Sequence, residues 1–102
     1  MFLKFSIYKI EGDSMSPSLN HNTFVLINPF KKKKINKFFI FQHETYGKLV
    51  KKLVKIDSSN HFWFEGEHQS SISKTQIGPV KENNILGQIV FSISKSSIKF
   101  HL

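Results

Sequence analysis

A chain of 102 residues with 15 lysines, no arginine and a net charge of +8 fits one compact domain with a modest core. It has no cysteine, which excludes a disulfide framework, a thiolate zinc site and a thiol nucleophile, so any nucleophile is an oxygen or a nitrogen. The lysine excess weakly favours anionic partners, and the longest apolar runs, Phe24–Ile27 and Phe38–Phe41, are far shorter than the roughly 20 residues of a membrane-spanning helix.

Phe2, Leu3, Phe5, Ile7, Tyr8 and Ile10 form a strand-like opening, in which Lys4 and Lys9 interrupt any signal-peptide core. Glu11–Ser14 reads as a turn, and Pro17 discourages regular pairing just after it. Thr23–Ile27 is a short apolar strand that stops at Asn28-Pro29, and Lys31–Lys34 with Lys37 make a basic loop. Phe38–Gln42 is the next strand, with a turn at Tyr46-Gly47, and the branched residues of Leu49–Ile56 suit a further one. Asp57–Asn60 is a hairpin connector into His61–Glu65, Gly66–Pro79 an ordered polar loop, and Ile85–Ile93 the last clear strand, with Gly87 as a bulge. Short, evenly spaced strands without a helical period predict a single all-β domain over residues 1–102, a barrel or sandwich with little helix and a phenylalanine-rich core.

Gly12-Asp13-Ser14-Met15-Ser16-Pro17-Ser18-Leu19 is the most informative stretch. A serine on a bend between a turn and a strand, fixed by a following proline, exposes its hydroxyl and gathers backbone N–H groups that can face an oxyanion. On local pattern alone, such a serine is ordinarily just a turn residue. A nucleophilic serine needs a base, and none of His21, His43, His61, His68 and His101 sits in a triad motif. The other candidate is a lysine with its pKa lowered by burial. Lys51 lies in Leu49-Val50-Lys51-Lys52-Leu53-Val54, where strand alternation sends Lys51 and Lys52 to opposite faces, so one can be desolvated while the other meets water.

The Ser14-Met15-Ser16-Pro17-Ser18 run resembles the nucleophile box of type I signal peptidases, with Ser18 in place of the usual threonine. Leu49–Val54 resembles that family's lysine box, Lys52 standing where an arginine is usual. Gly66-Glu67-His68 stands in the place of glycine-aspartate-asparagine, while Ile77-Gly78-Pro79-Val80 and Leu86–Val90 resemble the closing segments. Ser73-Lys74-Thr75 replaces an aspartate-serine-arginine run, so the structural aspartate–arginine pair is missing. The resemblance covers about Ile10 to Val90 and implies a small signal-peptidase or SOS-repressor-like β barrel-type catalytic domain. It implies Ser14 as nucleophile and Lys51 as general base, with Ser71 orienting the amine. Gly12 and Asp13 would shape the oxyanion site, although Gly12 stands where many relatives have a donating serine, and Met15 and Pro17 would meet the substrate.

Only 13 residues precede Ser14 and no anchor is evident, so the expectation is a complete cytoplasmic peptidase rather than a membrane signal peptidase or a repressor with a DNA-binding domain. In length and closing motif the chain resembles the short peptidases linked to nickel-type superoxide dismutase. That resemblance implies a precursor protein as partner, removal of its N-terminal pro-segment, and no metal or organic cofactor. The competing readings are processing of another precursor, an inactive scaffold, and a basic β-barrel that binds nucleic acid through Lys31–Lys34, Lys37, Phe38 and Phe39. The last is disfavoured because it has no recognition motif and no arginine.

Overall fold

The computed structural model describes residues 4–12, 14–68, 71–95 and 97–101. They form one antiparallel seven-stranded sheet: β1 (Ser6–Lys9), β2 (Phe24–Asn28), β3 (Phe38–His43), β4 (Gly47–Ile56), β5 (Phe62–Glu65), β6 (Ile85–Ile93) and β7 (Ile98–Phe100). Its path runs β1-β2-β6-β3-β4-β5, and β7 pairs with the far end of β6. The helical content is α1 (Lys74–Ile77) and a 3-10 turn at Glu82–Asn84, so the domain is all-β with little helix, as the strand pattern predicted. Among the described residues, no helix is long and apolar enough to cross a membrane.

Alternation along the strands sorts side chains into two apolar clusters. The first gathers Phe39, Phe41, Leu53, Phe62, Phe64, Ile77, Val80 and Ile85, with the Phe41 and Phe64 rings stacked at 4.3 Å. The second gathers Ile10, Met15, Leu19, Val25, Ile27, Ile40 and Ile89. β3 separates them, because Phe39 and Phe41 face one way and Ile40 the other. β6 holds the two halves together by pairing with β3 through Ile85–Gln88 and with β2 through Gln88–Ile93. Its register against β3 shifts beside Gly87, where a Cβ would come within 3.0 Å of the Asn28–Pro29 backbone, so glycine permits this crossing.

Two elements differ from the sequence expectation. Residues 66–79 are not loop throughout, because Ser73 caps α1 reciprocally with Gln76, each satisfying the other's backbone N–H. His43 tethers the far end of α1. Its Nδ1 accepts from the N–H groups of Thr45 and Tyr46, which leaves Nε2–H to donate to the Ile77 carbonyl at 2.8 Å. The chain also adds β7 after Ile93, where three residues pair with the end of β6. The Asp57–Asn60 connector is the expected hairpin, built on Asp57, whose carboxylate accepts from Ser59 N, His61 N and the Trp63 indole.

Candidate active site

The bend from Ile10 to Thr23 is closed at its ends by backbone bonds, Ile10 N to Thr23 O at 2.7 Å and Asn22 N to Ile10 O at 2.8 Å. Within it, Met15 and Leu19 are buried anchors and Leu19 N donates to Met15 O, which leaves Ser14 half-buried at the outer edge. Apolar residues thus pin the bend to the second cluster, and the serine is held by its neighbours.

Ser14 is also gripped from the opposite side. Its carbonyl oxygen accepts from Glu67 N at 2.9 Å and His68 N at 3.0 Å. Ser18 Oγ donates to the Glu67 carboxylate, reaching both oxygens at 2.9 Å. A Cβ on Gly66 would strike the Ser71 side chain and approach the Ser14 carbonyl oxygen to 2.8 Å, so Ser14, Gly66 and Ser71 are in close juxtaposition. Glu67 and His68, with Gly66 and Ser71 against it, therefore back the serine bend, and Ser73, in the run that lacks the aspartate–arginine pair, caps α1 with Gln76.

Lys51 lies in β4 opposite Phe39, between Leu49 and Leu53 on the same strand face. Only 2% of its surface is exposed, and this burial pushes the amine's pKa below the ordinary lysine value. Lys52, on the other face, is half-buried. A cleft of about 270 Å³ is lined by Ser14 and Met15 from the bend, Tyr8 to Glu11 from β1 and beyond, Ile40, and Lys48, Leu49 and Val50 immediately before Lys51. Both long walls carry free backbone edges. β1 pairs only with β2, and β5 joins β4 only from Lys52 onward, so among the described residues 47–51 has no partner on that side.

The structure brings Ser14 and Met15 to the cleft together with Lys48, Leu49 and Val50 of the lysine's strand, and sets Gly66 and Ser71 against Ser14; Lys51 itself is not in the cleft lining. No hydrogen bond joins Ser14 Oγ to Lys51 among the described residues, and the Ser71 hydroxyl donates to the His68 carbonyl at 2.7 Å. Catalytic hydrogen bonds commonly tighten only with substrate present. Gly12 N–H donates to His21 Nδ1 at 2.9 Å, which helps to fix the bend. Asp13 lies outside the described residues, and Pro17 is exposed and absent from the cleft lining. Sequence reasoning weighed His21 only as a base and missed its bond to Gly12, and it passed over the Ser18–Glu67 pair and Lys48, whose ammonium lies 4.9 Å from the centre of the Tyr8 ring across the cleft. Only the period-2 placement of Tyr8 and Ile10 hinted at this wall.

A small antiparallel sheet with a backed serine bend at one wall of a cleft, and at the other the strand that carries a buried lysine, is an arrangement consistent with a serine-peptidase-like domain. A family model described as Peptidase S24-like matches residues 4–90, and the chain belongs to this family. Searches of the curated proteins and of the solved structures return no match.

Proposed function

We propose that the protein is a serine endopeptidase that uses Ser14 and Lys51 to remove an N-terminal segment from a precursor protein. The observation that carries this reading is the burial of Lys51 in the strand that walls the cleft beside Ser14. A desolvated lysine is neutral over a wider pH range and can accept a proton, whereas an ordinary one, with a pKa of roughly 10.4, is charged at neutral pH. The neutral amine takes the Ser14 proton as Oγ bonds to the scissile carbonyl carbon. Lysinium returns that proton to the leaving amine as the C–N bond breaks, and water then hydrolyses the ester. The Ser14 N–H is a donor available to the oxyanion. An extended substrate segment fits between the free edges of β1 and β4, where main-chain bonds give affinity and alternate side chains meet Tyr8, Ile10, Ile40 and Val50.

The resemblance in the motifs makes the nickel-type superoxide dismutase precursor the particular substrate to test. The precursor is mixed with the parent protein, Ser14→Ala and Lys51→Ala, and intact masses are recorded. Loss of one defined N-terminal segment with the parent alone is expected. Cleavage surviving in either variant removes that residue from the mechanism. An intact precursor with the parent removes this substrate and leaves other precursors to be tried.

A further inference from the structure

Four adjacent strands carry a continuous apolar surface on the side of the sheet facing away from the second cluster. Cross-strand partners share a face, and the register places Ile7, Leu26, Phe91 and Phe100 in one row. The next row on that face is Lys9, Phe24, Ile93 and Ile98. Residues between them in sequence, such as Val25 and Ser92, point inward and are buried. The outer rows are open to water, with Ile7 70%, Ile98 61% and Phe100 70% exposed. Phe5 and Phe30, in ring contact at 6.1 Å, continue the surface past Ile7. An exposed apolar area of this extent ordinarily marks an interaction site.

Charge decides among the occupants. The segments that carry the face, residues 4–9, 24–34, 91–95 and 97–101, hold Lys4, Lys9, Lys31, Lys32, Lys33, Lys34 and Lys95 and no aspartate or glutamate, while Lys99, paired with Ser92, turns to the other side. One carboxylate from elsewhere, Glu82, reaches Lys33 at 3.7 Å. A second copy docking face to face would bring two lysine frames together, which costs Coulomb energy. Single-stranded nucleic acid suits the charge and could stack on Phe24 or Phe100, but Ile7, Leu26, Ile93 and Ile98 make half of the eight row positions aliphatic, a surface that base stacking does not use and acyl chains do. We propose that this face docks peripherally on an anionic phospholipid bilayer, with Ile7, Phe24, Ile93, Ile98 and Phe100 entering the interface, and Lys9 and the Lys31–Lys34 loop beside Phe30 drawn to the headgroups. Lys9 belongs to this face and also lines the cleft, so the docked protein would hold the cleft beside the membrane surface.

The test is flotation of the purified chain with vesicles of equimolar phosphatidylglycerol and phosphatidylcholine, and with phosphatidylcholine alone. Flotation with the first only, weakening as salt is raised, is expected. The double variants Ile98→Ser/Phe100→Ser and Ile7→Ser/Phe24→Ser, on opposite sides of the face, should each weaken binding by about a hundredfold. Lys31→Gln with Lys32→Gln should weaken it by about tenfold or more. The melting temperatures of these variants should stay near the parent's, because the substituted side chains are solvent-facing. No flotation, or equal flotation with both compositions, overturns the proposal. A dimer in sedimentation velocity that either apolar variant dissolves, without vesicle binding, assigns the face to a second copy. An oligothymidine that displaces the vesicles assigns it to nucleic acid.

Discussion

Burying the Lys51 amine penalises its charged form, so the folded protein releases that proton at a lower pH than the unfolded chain does. Between the two pKa values the unfolded chain binds more protons at this site, and stability therefore rises with pH across the window. The penalty is full below the folded value and gone above the unfolded value of roughly 10.4. Lys51→Met should be more stable than the parent at neutral pH, with the gap in melting temperature narrowing as pH rises. Precursor cleavage by the parent should also increase from neutral to mildly alkaline pH, and a flat kcat/KM profile there would count against Lys51 as base. On the proposed mechanism, Ser14→Ala and Lys51→Ala should each lower kcat/KM by about a thousandfold or more, and the double variant should be little worse, as expected of two groups acting as one unit. Ser14 and Lys51 were legible as candidates because each sits in a motif. His21 and Lys48 were not, because their partners, Gly12 and Tyr8, reach them only through chain reversal and sheet curvature.

Among the elements, the strands with branched and aromatic runs were plain, whereas α1 and β7 were not. One turn of helix has no apolar period to detect, although Ser73-Lys74-Thr75-Gln76 carries the spacing of a capping box. Ser73→Ala should cost about 1 kcal/mol, read as a lower urea midpoint with unchanged slope. β7 is three residues that are strand only because the end of β6 offers them partners, a tertiary cause that local pattern does not carry. Gly66 links element to site, since its missing side chain admits Ser71 and the Ser14 carbonyl. Gly66→Ala should therefore displace the serine bend and lower kcat/KM by about tenfold or more, a loss a distant loop glycine would not produce.

Over the whole molecule, eleven phenylalanines foretold an aromatic core but not which of them would form it. Phe39, Phe41, Phe62 and Phe64 do, whereas Phe5, Phe24, Phe30 and Phe100 lie outside. That division depends on which face of each strand turns inward, and it is settled by pairing register across the sheet. Phe64, buried between the Phe39 and Phe41 rings, should cost about 3–5 kcal/mol when cut back to alanine. Set against the roughly 5–15 kcal/mol typical of a domain, such a loss should move the urea transition towards zero denaturant.

The route from one wall of the cleft to the other passes through four strand pairings, β1-β2, β2-β6, β6-β3 and β3-β4. The gap is therefore the place where a ring of staves lacks one member, and its width is the summed twist of every joint. A guest strand seated there would complete the hoop, and any joint could alter the fit from afar. The Gly87 crossing, at the middle of the chain of joints, is in that sense the spring of the clasp.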